Sequence, residues 1–222
     1  MDGKIEGLVF DLDGTLLNTL DDIADSCNMA LEKYGMPKRT LEEVRGFVGN
    51  GLGVLMEKAV PGGRENPDYE AALDAMHKIY AENCLVKTGP YDGVLSMLKK
   101  ISSSGIKCAI VSNKPDEQVK ELSKIFFSEY ISPEVSVGEK ESAGIRRKPA
   151  PDSVLAILDK WKIQKDRVVY VGDSDVDIAT AKNAGLECIS VTWGFRSRDF
   201  LIERGAVCIA DSPDEVAAIV MG

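Results

Sequence analysis

Ile5-Glu6-Gly7-Leu8-Val9-Phe10-Asp11-Leu12-Asp13-Gly14-Thr15-Leu16 opens on an apolar run that reads as a buried strand, and two carboxylates two residues apart close it. In extended backbone, residues two apart point to the same side, so Asp11 and Asp13 are expected to share a face. Carboxylates that close repel, and the arrangement calls for a cation or a shared proton. Gly14 lets the chain turn sharply or approach a bound group. Asp-x-Asp-Gly is also ordinary turn chemistry after a strand, so the downstream chain has to decide between the two readings.

After Thr15 the period changes. Leu20, Ile23, Ala24, Cys27, Leu31 and Tyr34 recur at spacings of three and four, which predicts a helix with Thr19 as N-cap and Gly35 as its stop. Thr40-Leu41-Glu42-Glu43 fits a capping box that starts a short helix. Gly46-Phe47-Val48-Gly49-Asn50-Gly51 interrupts it, either as a tight helix-helix turn or as a loop that must come near a ligand. Pro61-Gly62-Gly63 marks another loop, and Tyr69, Leu73, Met76, Ile79 and Tyr80 form a second long stripe. Residues 17–86 therefore read as an all-helical insert with no strand.

Beyond Gly89-Pro90 helices and strands alternate. Strands are expected at 107–111, more weakly at 131–137, and at 167–171, 187–191 and 206–210. Helices are expected at about 94–104, 116–127, 151–161, 174–184 and 198–203. Ser212-Pro213-Asp214-Glu215 supplies a last capping box. Such alternation implies a parallel sheet covered on both faces, a Rossmann-like three-layer α/β core made of 1–16 and 87–222, with 17–86 as a helical cap. Ligands in such sheets bind beyond the carboxyl ends of the strands. The polar residues fall at those ends: Asp11 and Asp13, then Ser112 and Asn113, then Asp173 and Asp177.

Composition bounds the partners. A net charge of -9 argues against nucleic acid or an anionic membrane surface, and an anionic substrate would need local positive charge. No apolar run reaches membrane-span length, and Met1-Asp2-Gly3-Lys4 reads as leading straight into a strand rather than as a signal peptide. Five widely spaced cysteines, Cys27, Cys84, Cys108, Cys188 and Cys208, read as thiols in a reducing cytoplasm. Nothing in the sequence bears on oligomeric state.

Carboxylates converging at one sheet edge, with no histidine or cysteine among them, make a hard-oxygen site suited to Mg²⁺. Lys148 reads either as part of a solvated run, Arg146-Arg147-Lys148, or as the counter-ion of Asp11 and of a transferring phosphoryl group. Asp173 and Asp177 also have a plain reading, as acids favouring a helix N-terminus. Ser112 and the Asn113 backbone are placed to donate to phosphate oxygens. Together the parts fit covalent phosphoryl transfer, in which a carboxylate attacks phosphorus and the acyl phosphate is hydrolysed. His77 reads as a surface or packing residue, and Arg196 and Arg198 as a solvated helix start.

Phe10-Asp11-Leu12-Asp13-Gly14-Thr15-Leu16, Val111-Ser112-Asn113, Lys148-Pro149 and Val171-Gly172-Asp173-Ser174-Asp175-Val176-Asp177 resemble, in order and on strand ends, the four motifs of the haloacid dehalogenase-like (HAD) phosphatase superfamily. The helical insert resembles that family's α-helical cap. Val48-Gly49-Asn50-Gly51, Asn113-Lys114-Pro115 and Val191-Thr192-Trp193-Gly194 are most similar to its phosphoglycolate phosphatase branch. The resemblance implies Asp11 as nucleophile and metal ligand, and Asp13 as general acid and base that also holds the metal through its backbone carbonyl. It implies Asp173 as the third protein ligand of Mg²⁺, supported by Asp177, and Thr15, Ser112, Asn113 and Lys148 as phosphate-binding. Gly49, Asn50 and Gly51 would select the substrate from the cap. The expected activity is hydrolysis of a small phosphate monoester, 2-phosphoglycolate first. A phosphosugar mutase or inorganic pyrophosphatase of the same superfamily, and a non-catalytic phosphometabolite-binding protein, are the alternatives.

Overall fold

The computed structural model describes residues 4–222; Met1 to Gly3, and with them the reading of the N-terminus, lie outside the described residues. The chain divides into two compact units, Met1–Leu17 with Pro90–Gly222, and Asn18–Gly89.

The larger unit is built on a six-stranded parallel sheet. Its strands are β1 (Gly7–Phe10), β4 (Lys107–Pro115), β5 (Ser136–Glu139), β6 (Val168–Gly172), β7 (Glu187–Val191) and β8 (Cys208–Ala210); β2 (Leu17–Asn18) and β3 (Gly89–Pro90) form a separate two-stranded sheet. The order β5-β4-β1-β6-β7-β8 starts at β1, runs outward on one side and then restarts on the other. That reversal puts the topological switch at the tips of β1, β4 and β6, where a ligand crevice opens in sheets of this kind. Phe10 is level with Ile110 on β4 and with Val171 on β6, so the residues just past these three positions arrive together at one edge.

Every residue of β1 and of β6 is buried, the mark of strands covered on both faces. Leu8 and Phe10 are fully buried, and each contributes about 1.5–3 kcal/mol of burial free energy. Gly7 is glycine because a β-carbon there would meet the Trp161 ring at 2.8 Å. The covering helices are α5 (Val94–Ser103), α6 (Asp116–Phe127), α7 (Asp152–Trp161), α8 (Asp175–Ala184), α9 (Arg198–Glu203) and α10 (Pro213–Met221). In α5, Val94, Met97, Leu98 and Ile101 form the buried stripe.

The smaller unit holds α1 (Leu20–Lys33), α2 (Leu41–Phe47), α3 (Gly51–Ala59) and α4 (Tyr69–Asn83). Ile23, Cys27 and Leu31 of α1 are buried, as are Leu55 and Met56 of α3 and Met76 and Tyr80 of α4. Thr40 and Glu43 form the expected reciprocal capping box, which contributes about 1 kcal/mol. The buried carboxylate of Asp22 accepts from the backbone N–H groups of Lys87 and Thr88 at 2.9–3.0 Å, tying the unit's last residues to its first helix.

Several expectations are corrected. The 17–86 stretch is not strand-free, since Leu17–Asn18 is extended. Thr19 sits at the N-cap of α1, but its side chain makes no capping bond; Asn18 Oδ1 accepts from Leu20 N instead. The weak strand expected at 131–137 begins only at Ser136. Ser132 and Pro133 are helix-start chemistry, and the Ser132 side chain caps a 3₁₀ turn over Pro133–Val135. The strand expected at 107–111 continues to Pro115, with a register irregularity after Val111. The last strand starts at Cys208, after Gly205 turns the chain at φ 92°. At α10 only half of the capping box forms, because Glu215 reaches Asp211 N rather than the Ser212 amide.

Candidate active site

β1 ends at Phe10, and Asp13 beyond it forms an isolated bridge with Leu17. Asp11 is anchored by its amide to the Val171 carbonyl of β6 at 2.9 Å, and Leu12 N donates to Asp11 Oδ1 at 2.6 Å. Gly14, at φ +87°, turns the chain back so that its amide meets Leu17 O. A side chain at Gly14 would also collide with Asp173, its β-carbon lying 2.5 Å from Oδ2. Gly14 thus turns the chain just after Asp13, and each of the two carboxylates meets its own lysine.

Lys148 Nζ lies 2.8 Å from Asp11 Oδ1 and 2.8 Å from Asp177 Oδ1, and it donates to the Tyr170 hydroxyl at 3.3 Å. Its three N–H bonds are thereby engaged. The Asn113 side chain donates to the Lys148 carbonyl at 3.1 Å, and Asn183 to that of Pro149 at 2.9 Å, which seats the segment. Arg146 and Arg147 behave as the solvated reading has it, paired on the surface with Asp152 and Glu141. Lys148 departs from it, with its side chain only 3% exposed.

Asp11, Asp173 and Asp177 are buried, with one carboxylate oxygen from each within 4.8 Å of the others. Asp177 closes the capping box of α8: Ser174 N and Oγ donate to its Oδ2 at 3.1 and 2.6 Å. Its Oδ1 faces Lys148 and, at 3.2 Å, the Tyr170 hydroxyl. With up to four donors on its two oxygens, Asp177 has no capacity left for a cation and acts by fixing Lys148. Asp173 accepts from Thr15 Oγ1 at 3.2 Å and from Phe195 N at 2.7 Å, one donor on each oxygen. Gly194 makes the second of these contacts possible, because a β-carbon there would lie 2.4 Å from Asp173 Cβ. Asp11 Oδ2 accepts no hydrogen bond among the described residues.

Burial and the repulsion of Asp177 raise the proton affinity of Asp11 well above the ordinary carboxylate range, against the pull of Lys148. The same two causes bring Asp173 to about 7. Burial works against the charge of Lys148, but the carboxylates of Asp11 and Asp177 hold its pKa well above the usual lysine value. Three buried acids share one ammonium, so the cluster is short of positive charge. A divalent cation taking oxygen from Asp11 and Asp173 fits that deficit.

Ser112 and Asn113 lie buried at the tip of β4, with Ser112 Oγ accepting from Lys114 N at 3.2 Å. Thr15 Oγ1 donates to Asp173 Oδ1 at 3.2 Å, and the Thr15 carbonyl accepts from Trp193 Nε1 at 3.0 Å. Gly49, Asn50 and Gly51 belong to the smaller unit, where they lead from α2 into the first residue of α3, with Gly49 at φ 122° and Gly51 at φ 82°. His77 is exposed, and Arg198 pairs with Asp211.

The sequence points to Lys148 as a counter-ion but gives Lys114 no role of its own. Lys114 Nζ lies 2.8 Å from Asp13 Oδ1, with the two side chains 2% and 15% exposed. The signal was the period of two that puts it on the side of Ser112 at a strand tip. Tyr170 was hidden inside an apolar run.

The haloacid dehalogenase-like hydrolase family model matches residues 8–191. The phosphoglycolate phosphatase of Pseudomonas putida is 31% identical over 97% of this chain and 78% of its own length. That of Cereibacter sphaeroides is 33% identical over 86% of each. A crystal structure from Lactobacillus delbrueckii subsp. bulgaricus, provisionally named a phosphoglycolate phosphatase, superposes with a TM-score of 0.92 at 33% identity, covering 99% of this chain and all of that one. Motif order, strand tips and these matches agree: the chain belongs to the haloacid dehalogenase-like hydrolase family.

Proposed function

We propose that the protein is a Mg²⁺-dependent phosphatase that hydrolyses a small phosphate monoester, 2-phosphoglycolate first among them, through an aspartyl phosphate on Asp11. The observation that carries this reading is the buried set Asp11, Asp173 and Asp177, gathered within 4.8 Å with Lys148 bridging Asp11 and Asp177. Relatives named phosphoglycolate phosphatase, matching over most of their length, support the choice of substrate.

Asp11 Oδ1 is held by Leu12 N and Lys148, which leaves Oδ2 as the attacking oxygen. Attack on phosphorus breaks the bond to the leaving group, whose oxygen takes a proton from Asp13. Asp13 then removes a proton from water, which attacks the acyl phosphate, releases inorganic phosphate and restores Asp11. Lys148 compensates charge on Asp11 and on the phosphoryl group, while Ser112 and Asn113 bind its oxygens. Asp11, Asp173 and the Asp13 carbonyl would hold Mg²⁺, whose contribution is to neutralise phosphoryl charge. Uncatalysed monoester hydrolysis can require about 10²¹-fold acceleration, which is why a divalent cation would be needed beside Lys148.

The smaller unit would act as the cap that selects the ester, through Gly49, Asn50 and Gly51. The five free thiols and the absence, among the described residues, of a helix long and apolar enough to cross a membrane support a cytoplasmic setting.

Phosphate release from a panel of small esters, with and without Mg²⁺, tests the proposal. We expect Mg²⁺-dependent turnover with 2-phosphoglycolate among the best substrates. An isomerised sugar phosphate without net release would point to a mutase, preferred cleavage of pyrophosphate to a pyrophosphatase, and stoichiometric binding without turnover to a sensor.

A further inference from the structure

Lys114 has no role in the reaction as set out, yet Lys114 and Lys148 are the two buried lysines among the described residues. A buried ammonium is costly unless paired, and this one meets Asp13 Oδ1 at 2.8 Å. By contrast, the Lys100–Asp214 pair has the same spacing half exposed to water, where such a contact contributes little.

The backbone beneath Lys114 is held from two sides. Its amide donates to Ser112 Oγ at 3.2 Å. Its carbonyl runs so close to β5 that a β-carbon on Gly138 would lie 2.6 Å from it and 2.4 Å from Asp116 Cα. Gly138 N in turn donates to Asp116 Oδ1 at 2.9 Å. A long, flexible side chain is thus mounted on backbone with little room to shift, and its charge is aimed at one oxygen of Asp13.

We infer that Lys114 is the positioning residue of Asp13, holding Oδ1 so that Oδ2 is the oxygen that serves the leaving group. The inference rests on the reading of Asp13 as general acid. As the bond from phosphorus to the leaving oxygen breaks, its electron pair stays on that oxygen, which takes the proton from Asp13 Oδ2. Asp13 is left as a carboxylate with Oδ1 still on Lys114. A purely structural lysine would alter stability without regard to leaving group, and a lysine acting on the phosphoryl oxygens would affect all esters alike.

The test compares kcat/KM, with Mg²⁺, for 2-phosphoglycolate, or the best alkyl phosphate of the panel, against p-nitrophenyl phosphate. The latter's leaving group departs without needing a proton. Asp13→Asn should lose about 10²-fold or more on the alkyl ester and only a few-fold on the aryl one. Lys114→Met should reproduce that selectivity, with a loss of about 10²-fold on the alkyl ester, since a small misplacement of a reacting group has that effect. Lys114→Arg should recover part of the activity. In the Asp13→Asn background, removing Lys114 should cost nothing further, because the lysine acts through the residue already removed. If Lys114→Met fails to fold, Lys114→Arg keeps the charge and is read for the same selectivity. Equal losses on both esters, no loss at all, or a loss that adds to that of Asp13→Asn would each overturn the inference while the acid assignment stands. An Asp13→Asn enzyme that loses both esters alike would overturn the acid assignment, and the inference with it.

Discussion

Each unit of the molecule buries carboxylates, and they are treated in opposite ways. In the helical unit Asp22 is 2% exposed and is answered by two backbone N–H groups that have no other duty. At the strand tips Asp11, Asp173 and Asp177 crowd together around a single ammonium, with Asp11 Oδ2 open. Backbone amides satisfy a charge in place and give it nothing to do. A cluster of like charges that remains short of cations is unstable as a piece of architecture and is kept for what can enter it. The first kind of buried acid holds a chain; the second kind holds a reaction.

The strongest test of that division removes one carboxylate from the crowded site. Asp11→Asn should abolish turnover, by on the order of 10⁴-fold or more, because the amide cannot form the acyl phosphate. The fold should persist, since Lys148 keeps Asp177 at 2.8 Å and one source of repulsion is gone. Phosphate release and thermal melting measured on the same preparation check this. Substantial activity would end the nucleophile assignment, and a collapsed melting temperature would mean that Asp11 belongs with Asp22 as an architectural acid.

The contrast also explains what could be read from sequence. Strand β1 was legible because a strand buried on both faces is an unbroken apolar run, and Asp11 was legible because the run stops there. Asp173 could be placed for the same reason, since strand tips of a parallel sheet converge, whereas Lys148 lies between β5 and α7 and was assigned by the motif resemblance. The pairing of each aspartate with its own lysine was not legible. It depends on β4 running past Val111 to bring the buried Lys114 to Asp13. Ser132-Pro133 misled in the other direction, because a short apolar stretch around it looked like a strand while its local chemistry started a helical turn. Asp22 was simply one of four acids in a polar helix face, and only the return of the chain at Lys87 and Thr88 distinguishes it.

A smaller effect, on stability rather than chemistry, is expected at that residue. Asp22→Ala leaves the part-buried Lys87 amide and the buried Thr88 amide without their acceptor and should destabilise the protein by about 3 kcal/mol, on the scale of hydrogen bonds to a charged group. Denaturant unfolding checks the size. Purified folded protein should retain the leaving-group dependence of the wild type, because the amides that Asp22 serves, Lys87 and Thr88, belong to its own unit. A neutral substitution would mean that the two amides find water, and the buried acid would lose its architectural reading.

The smallest effect separates selection from chemistry. Asn50 stands at the N-cap position of α3 without capping it by its side chain, between glycines whose φ of 122° and 82° would strain any other residue. A loop that gives up a helix cap, which contributes about 1 kcal/mol, and adopts glycine-only backbone on either side is shaped for something other than helix stability. Substituting Asn50 by Ala should lower kcat/KM for the preferred alkyl phosphate by about tenfold, equivalent to about 1.4 kcal/mol. Hydrolysis of p-nitrophenyl phosphate should change by much less. Equal loss on both esters would move Asn50 from choosing the substrate to serving the strand-tip chemistry, and the division of labour between the two units would have to be redrawn.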